Sequence, residues 1–446
     1  MLIYFAVTNF KSFRDKVEFS MIPTVDDNKT KDHINRYDNI SLLRIAAIYG
    51  NNAAGKTNLL EAIQALRKIV IGQMRRNEEI IVPFKLEPSC LSKPTEFEIE
   101  YLNGDNRYYF ELSILKGEIQ YERLSFILSD GTEKTIYERT LDNGKTSINF
   151  LQKANTDKEK MRLELFSEEL DNRKCETFLR FAIKRDYLPE FGAAYGWFAN
   201  KLEVVYSNAH YFGEIPFFAD KHMKEKANLL LSLLDLGIED IQLKQIPLED
   251  LISDASLLVD IKHKVEENVV PVLVNRGKYE YHIFKDDGNR FWAGRLVTIH
   301  KNGVEFELYE ESLGTRMVLE LIPGMVGAII ARKVYLFDEF ELGKHPEMTK
   351  LLVLSFVLAG ENGNGQMIFT THECNLLDLD ILRKDEIWFA EKDNSGNSHI
   401  YSLSDFEPTE IINDDLKKDY LNGRYTKIPF FADPNKLKWY DYKAID

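Results

Sequence analysis

The segment that most constrains this chain runs from Gly50 to Thr57 and reads GNNAAGKT, which fits the pattern GxxxxGK[ST]. An apolar stretch, 42–49, precedes it, and apolar residues recur at helical spacing from Leu59 to Val70. Glycines let successive backbone N–H groups curl around an anion, and a helix N-terminus adds partial positive charge. The sequence therefore predicts a buried strand, a phosphate-binding loop and an amphipathic helix.

The loop also indicates what it binds. In this pattern the lysine contacts the β- and γ-phosphates of a nucleotide and the hydroxyl residue is a ligand of Mg²⁺. We expect Lys56 and Thr57 to take these roles. The nucleotide-binding residues are expected to be Asn51, Asn52, Ala53, Ala54, Gly55, Lys56, Thr57 and Asn58.

A second motif ends an apolar segment, 334–337, with the carboxylates Asp338 and Glu339. Asp338 is placed to hold Mg²⁺ through water, and Glu339 to polarise an attacking water as a general base. Many strands end in acidic residues, so the pattern gains its weight from the loop upstream. We expect Asp338 in the metal site and Glu339 as a catalytic residue.

A third motif is the apolar segment 366–370 followed by Thr371 and His372. This strand should neighbour the one that ends at Asp338. A neutral imidazole there can hydrogen-bond a γ-phosphate or the attacking water. A lone histidine is usually an ordinary surface or core residue, but this position favours a catalytic role for His372.

A fourth segment, Glu311–Arg316, reads ESLGTR and precedes a helical stretch. Ser312 fits the N-cap of that helix, which alone would explain it. The alternative is an anion site, in which the serine hydroxyl, the Gly314 N–H and the helix dipole face a γ-phosphate. The segment by itself leaves both interpretations open.

In this order the four motifs resemble the ABC-type ATPase heads of the SMC, RecF and OLD group. The resemblance implies ATP and Mg²⁺ as cofactors, ATP hydrolysis, and a head-to-head pair or a higher oligomer. Ser312 and Gly314 match the signature motif, which in this family contacts the ATP of a second subunit, and His372 matches the switch histidine. His345 lies where the family's D-loop begins, although a histidine before Pro346 is equally explained as a helix-start residue.

Two departures from the family pattern concern the rate of turnover. The signature reads SLGT where the family has SGGQ, and no Q-loop glutamine is evident, although Gln120 and Glu122 lie near the expected strand. We therefore expect a slow ATPase.

A narrower resemblance is to the ATP-binding proteins of bacterial phage-defence systems, among them the ATPases of the PARIS, Septu and retron systems. The segments that carry it, besides the phosphate-binding loop, are NFKSF (9–13), DEFELGKHP (338–346), RKDEIWFAEKD (383–393) and YLNGRYTKIPF (420–430). This resemblance implies abortive infection as the biological role. The implied partner is a protein effector encoded nearby, a TOPRIM-type or HNH nuclease.

The fold class expected is α/β, an ABC-type P-loop ATPase head interrupted by a mainly helical insertion. The N-terminal lobe would span 1–150, with an edge strand at 2–7 and antiparallel hairpins from about 84 onward. The insertion would span 151–275. The C-terminal lobe would span 276–446, with a strand pair at 279–284 and 291–300 and a helix over 317–330 that Pro323 should kink or break.

The composition limits the other functions. The 446 residues are 44% hydrophobic and carry a net charge of −15, which fits a soluble protein and weighs against one that coats nucleic acid. No apolar run approaches the roughly 20 residues of a membrane span, and the first residues lack a basic signal region, so we expect a cytoplasmic protein.

Three alternatives to the defence ATPase remain to be weighed. A RecF-like repair ATPase would bind DNA in its ATP-closed dimer, but the basic clusters are small: Lys68 with Arg75 and Arg76, and Lys221 with Lys224 and Lys226. A self-contained OLD-type nuclease would need a TOPRIM domain, for which the stretch after His372 leaves no room, so any nuclease is expected to act in trans. A transporter ATPase is disfavoured by the split lobes.

Overall fold

The computed structural model describes residues 1–24, 28–73, 80–150, 156–185, 187, 189–206, 215–266, 272–286, 288–360, 365–406 and 415–426. The strands within these ranges are β1 (Leu2–Thr8), β2 (Val17–Ser20), β3 (Ile34–Tyr37), β4 (Ile40–Leu43), β5 (Ile45–Gly50), β6 (Thr95–Asn103), β7 (Asn106–Leu115), β8 (Glu118–Ile127), β9 (Glu133–Asp142), β10 (Lys145–Phe150), β11 (Leu202–Val205), β12 (Ile238–Pro247), β13 (Val272–Arg276), β14 (Tyr279–Lys285), β15 (Phe291–His300), β16 (Val304–Glu307), β17 (Val334–Phe337), β18 (Gln366–Thr370), β19 (Ile387–Lys392) and β20 (Ser398–Ser402). The helices are α1 (Lys56–Ile71), α2 (Asp157–Asp171), α3 (Phe178–Ile183), α4 (Pro189–Asn200), α5 (Ile215–Ala219), α6 (Lys221–Leu233), α7 (Leu248–Leu251), α8 (Ala255–Glu266), α9 (Leu313–Ile330), α10 (Pro346–Leu358) and α11 (Leu416–Leu421).

A six-stranded sheet forms the centre of the molecule, in the order β11-β17-β18-β5-β19-β20. Its first five strands are parallel, and β20 closes the edge antiparallel to β19. Every residue of β5 is buried, because helices and the antiparallel sheet cover both faces. The carboxyl ends of β5, β17 and β18 meet at one edge, so the residues that follow these three strands converge there. The α/β fold class and the expected pairing of the strands that end at Asp338 and Thr370 are confirmed.

One neighbour of strand β17 in the core sheet comes from the segment expected to be a helical insertion. Strand β11 pairs in parallel with β17, so that Leu202 lies opposite Val334 and Val205 opposite Phe337. Strand β12 of the same segment pairs with β15. The boundaries at 150 and 275 stay predictions, but the segment between them is not helical throughout, because it contributes a strand to the core sheet and another to a second sheet.

A seven-stranded antiparallel sheet, in the order β10-β9-β8-β7-β6-β1-β2, packs its apolar face against α1, α3 and α4. The hairpins expected after residue 84 are confirmed as β6 to β10. The expectation that residues 2–7 form an edge strand is wrong, since β1 pairs with β2 on one side and β6 on the other. The reason is visible in Phe5 and Val7, which are fully buried in the core that this central position creates.

Helix α9 continues through Pro323 as one helix, so the expectation of a break there is wrong, and the alternative of a kink stays a prediction. Its glycines allow a close approach to β17, because a Cβ atom at Gly324 would lie 3.0 Å from the ring of Phe337 and one at Gly327 would lie 2.8 Å from the Tyr335 hydroxyl. Among the described helices α9 alone is long and apolar enough to cross a membrane, but 61% of it is buried inside the molecule. It is therefore a core helix of the ATPase fold.

A third sheet, β12-β15-β14-β13 with β16 beside β15, packs on α7 and α8 around a small apolar core of its own. The expected strand pair is confirmed as β14 and β15, with Ile283 opposite Ala293. Strand β16 leads into the segment that holds Ser312, so this sheet lies next to the start of α9.

Candidate active site

Two glycines of the loop between β5 and α1 lie where a side chain has no room. Gly50 has φ 151° and a Cβ atom there would be 2.4 Å from the Ala390 carbonyl oxygen. Gly55 has φ 112° and its Cβ would be 2.7 Å from the Ser398 hydroxyl. Strands β19 and β20 therefore pack closely against the loop, and glycine is required at both positions.

The other loop residues surround the start of α1. Asn51 accepts the backbone N–H of Ala54 at 3.1 Å. Asn52 and Ala53 are exposed, and Ala53 has a left-handed φ of 62°. The Asn58 amide donates to the Ser12 hydroxyl at 2.6 Å, which ties the loop helix to the segment 9–13. The roles of these residues in nucleotide binding stay predictions.

Lys56 is buried at the centre of the site. Its Nζ donates to the Gly50 carbonyl at 2.8 Å and to the Asn51 carbonyl at 3.2 Å, and it lies 2.9 Å from Nε2 of His372. Burial lowers the pKa of Lys56 to about 8, although nearby carboxylates, Glu341 first, act in the opposite sense. Burial and then the Lys56 charge also lower the pKa of His372, which favours a neutral ring that accepts a hydrogen bond from the ammonium.

Thr57, Asp338 and Thr370 form a cluster of oxygen atoms beside Lys56. The Thr57 hydroxyl donates to the two Asp338 carboxylate oxygens at 3.0 and 3.1 Å, and the Thr370 hydroxyl donates to Oδ1 at 2.7 Å. Burial raises the pKa of Asp338, while these two hydrogen bonds act to lower it. Hydroxyl and carboxylate oxygens are the ligands that Mg²⁺ prefers.

No group of three or more His, Cys, Asp or Glu side chains placed to hold a metal occurs within the described ranges. A site with one carboxylate and one hydroxyl suits Mg²⁺ that arrives with a nucleotide, because this ion keeps several water or phosphate ligands. The residues present therefore fit Mg-nucleotide better than a resident metal.

Glu339 follows Asp338 in an unusual conformation. Its φ is 50°, and its backbone N–H donates to the Thr370 hydroxyl at 2.8 Å. Positive φ is uncommon outside glycine and tends to occur at functional sites. A cavity of about 40 Å³ lies beside Glu339 and Asp338 and is large enough for a water molecule, which needs roughly 10–15 Å³.

The signature segment forms the start of α9. Ser312 is exposed, and its hydroxyl accepts the Thr315 N–H at 3.1 Å, which confirms it as the N-cap. A Cβ atom at Gly314 would lie 2.4 Å from the Gly343 carbonyl oxygen, so Gly314 has a packing role. The contact of Ser312 and Gly314 with a phosphate stays a prediction.

Three further candidate site residues make hydrogen bonds within the local fold. His345 caps α10, since its Nδ1 accepts the Glu347 N–H at 3.3 Å. Glu122 is fully buried and accepts the backbone N–H groups of Phe178 and Leu179, which start α3. The Gln120 amide donates to the Glu118 carbonyl. Both side chains thus make local structural contacts, and the Q-loop residue stays unassigned.

Sequence reasoning missed Thr370 and Glu341. Thr370 binds Asp338 and the backbone of Glu339, and Glu341 accepts the His372 N–H at 2.7 Å. Both lie inside motifs that the sequence had marked, Glu341 in DEFE and Thr370 in the strand before His372. The available signal was their proximity in the sequence: Glu341 lies two positions after Glu339, and Thr370 lies two positions before His372.

The basic clusters lie close to acidic groups. Lys224 is 2.9 Å from Asp240 and Lys221 is 4.0 Å from Glu225. Arg75 and Arg76 of the other cluster lie outside the described residues. The Lys221 cluster therefore presents less free positive charge than its sequence suggests.

The core sheet, with its phosphate-binding loop after β5 and its acidic pair after β17, defines a P-loop domain of the AAA type. Residues 45–378 match the family described as "AAA domain, putative AbiEii toxin, Type IV TA system", and the chain belongs to this family. No curated protein matches the sequence.

Two solved structures are similar to the chain. The SMC head domain from Thermotoga maritima is 12% identical, with a TM-score of 0.36, over 90% of this chain and 98% of that one. The SMC head bound to the C-terminal winged-helix domain of ScpA is 11% identical, with a TM-score of 0.39, over 90% and 97%. At this level of similarity, the fold assignment rests on the order of the core strands and on the family.

Proposed function

We propose that this protein binds and hydrolyses Mg-ATP and uses the nucleotide as a switch in cytoplasmic anti-phage defence, where it holds or releases an effector that acts in trans. The observation that carries the ATPase part is the convergence at one sheet edge of Lys56, Thr57, Asp338, Glu339 and His372. They come from three strands far apart in sequence, and each has the chemistry that phosphoryl transfer to water needs.

Binding would rest on the loop and on the oxygen cluster. Lys56 would exchange its backbone carbonyl partners for phosphate oxygens, which are stronger acceptors because they are charged. Thr57 and Asp338 would hold Mg²⁺, which neutralises charge on the phosphates. The Thr370 hydroxyl fixes the Asp338 carboxylate during this exchange.

Hydrolysis would rest on Glu339 and His372. Glu339 takes a proton from the water that attacks the γ-phosphorus, while ADP leaves with the electrons of the broken P–O bond. The neutral His372 ring, 2.9 Å from Lys56, is placed to orient the water or the γ-phosphate. Burial of the site strengthens these interactions.

The defence role is supported by the family description, which names a toxin of a type IV toxin–antitoxin system, and by the resemblance of the segments 9–13, 338–346 and 383–393 to phage-defence ATPases. The ATPase of the PARIS system is the particular candidate, followed by those of Septu and retron systems. The effector proposed is a TOPRIM-type or HNH nuclease encoded beside this gene. Residues 427–430 of the last matching segment lie outside the described residues.

The test combines biochemistry with phage plating. We expect Mg-ATP hydrolysis by the wild type, none by Lys56→Ala, and loss of phage protection in the same variant. The product of the adjacent gene should copurify with the wild type in an amount that depends on ATP. Lack of ATP binding by folded protein would refute the ATPase proposal. Salt-dependent DNA binding without an effector would instead support the RecF-like alternative.

A further inference from the structure

We propose that Glu341 is a positioning residue of this ATPase: it fixes the backbone of the switch histidine, and its loss impairs hydrolysis rather than nucleotide binding. The proposal rests on the function proposed above. It concerns a residue that lies two positions after the general base and that the four sequence motifs left without a role.

The contact that carries the proposal joins the two catalytic segments. The Oε1 atom of Glu341 accepts the backbone N–H of His372 at 2.7 Å. The Thr370 hydroxyl donates to Asp338 and accepts the Glu339 N–H, and the Thr370 carbonyl accepts the Phe340 N–H. Glu341 extends these contacts to His372, two residues beyond the end of β18.

The His372 backbone is thus held from two sides. The preceding N–H, that of Thr371, donates to the Ile48 carbonyl of β5 at 3.0 Å, and the His372 N–H donates to Glu341. The position of this backbone determines where the ring lies, and Nε2 is 2.9 Å from Lys56. Without the carboxylate, the turn after β18 would be anchored on the β5 side only.

The second oxygen of Glu341 distinguishes it from an ordinary turn cap. Oε2 is buried and makes no hydrogen bond within the described part of the chain. A buried carboxylate oxygen without a hydrogen-bond partner costs free energy, so its charge needs a compensating interaction. The charge acts on the buried Lys56 ammonium, and that electrostatic interaction compensates part of the cost.

Nucleotide binding should survive the loss of Glu341. Lys56 keeps its place at the start of α1, and the Thr57–Asp338–Thr370 cluster is held by its own hydrogen bonds. Hydrolysis should not survive intact, because a catalytic group displaced by about 1 Å can cost about a hundredfold in rate. The expected signature is a fall in kcat with little change in ATP affinity.

The test compares Glu341→Ala, Glu341→Gln, His372→Ala and the double variant Glu341→Ala/His372→Ala, with Glu373→Gln as the matched control. Glu373 is also a carboxylate in this turn, but it accepts the Asn375 N–H instead. We expect Glu341→Ala to lower kcat about tenfold or more with the ATP dissociation constant within about twofold of the wild type. Glutamine keeps the acceptor oxygen and should restore most of the rate, and Glu373→Gln should match the wild type.

The double variant decides whether Glu341 acts through His372. If it does, Glu341→Ala should add no further loss in rate to His372→Ala. A multiplicative loss in the double variant, a glutamine variant as slow as the alanine one, or wild-type kcat in Glu341→Ala would each overturn the proposal.

A measurement without turnover separates this proposal from the proposed function. Amide hydrogen exchange at His372 should be faster in Glu341→Ala than in the wild type or in Glu373→Gln, because the N–H loses its acceptor. Equal exchange in all three proteins would overturn the positioning role. Absence of ATP hydrolysis in the wild type would refute the proposed function alone.

Discussion

Lys56 and His372 are hydrogen-bonded, with 2.9 Å between Nζ and Nε2, although 316 positions separate them in the sequence. The contact joins the phosphate-binding loop after β5 to the turn after β18. It also gives the buried ammonium an acceptor in addition to two backbone carbonyls. The buried cation and the histidine that we propose as the switch residue are therefore in direct contact.

The first prediction concerns ATP affinity. Lys56→Ala removes a charge-assisted contact with the β- and γ-phosphates, worth about 1.5–3 kcal/mol. Mg-ATP should bind about tenfold more weakly or worse, as measured by isothermal titration calorimetry. Lys68→Ala, in the last turn of the same helix α1, is the matched control and should bind as the wild type does. Unchanged affinity in a folded Lys56→Ala protein would contradict the assignment.

The second prediction concerns the general base. Glu339→Gln keeps the shape of the side chain but cannot take a proton from water, so hydrolysis should slow while ATP binding persists. Single-turnover kinetics with radiolabelled ATP measure the step directly. Glu347→Gln, an exposed carboxylate in the first turn of α10, should hydrolyse at the wild-type rate. A wild-type rate in Glu339→Gln would transfer the role to another group, with His372 the first to examine.

The third prediction is that each ATP site combines two chains. Ser312 and Gly314 would face the nucleotide held by Lys56, Thr57 and Asp338 of a partner. A mixture of Lys56→Ala and Ser312→Arg, each inactive alone, would then form pairs in which one site carries both changes and the other carries neither. The mixture should recover part of the ATPase activity.

That mixing experiment needs proof of subunit exchange, for example by energy transfer between labelled chains. If exchange occurs and activity does not return, Ser312 serves only its own chain, as the N-cap of α9 that the structure shows.

The fourth prediction tests the packing role of Gly314. Alanine there would place Cβ 2.4 Å from the Gly343 carbonyl oxygen, a backbone atom that cannot rotate away. We expect the free energy of unfolding to fall by about 1–3 kcal/mol. Gly192→Ala, at an exposed position in α4 with no atom nearby, should instead raise it by about 1 kcal/mol. Equal urea midpoints for Gly314→Ala and the wild type would show that the segments around Gly314 and Gly343 move apart at little cost in free energy.

The fifth prediction concerns the aromatic packing behind the loop. Tyr420 stacks on Phe389 at 5.8 Å and meets Tyr49 edge-on at 5.8 Å. Tyr420→Ala should destabilise the protein by about 2 kcal/mol or more, while Tyr420→Phe keeps the stack and should cost less. Thermal unfolding of both variants measures the difference. Equal losses would assign the effect to the hydroxyl.

The sequence predicted the centre of the site well because each motif sits at the end of a short apolar strand. The strands before Gly50, Asp338 and Thr371 are local patterns, and parallel strands bring such ends together. Glu341 was missed because its role depends on one hydrogen bond to a residue 31 positions away, which no local period encodes.

The errors in the fold have the same origin. Strand β1 was expected at an edge, but its two partners, β2 and β6, are decided by tertiary packing. Strand β11 is four residues long and lies among helices, so the spacing of its apolar residues does not predict its pairing with β17. Pro323 did not break α9, since the helix is packed on β17 along its whole middle.

The pairing of β11 with β17 extends to Asp338, the proposed metal ligand, because its backbone N–H donates to the Val205 carbonyl at 2.9 Å. Val205 closes a strand that follows directly on α4. A displacement of the segment that ends in β11 would therefore reach Asp338 through this hydrogen bond, and a shift of Asp338 would reach that segment by the same path.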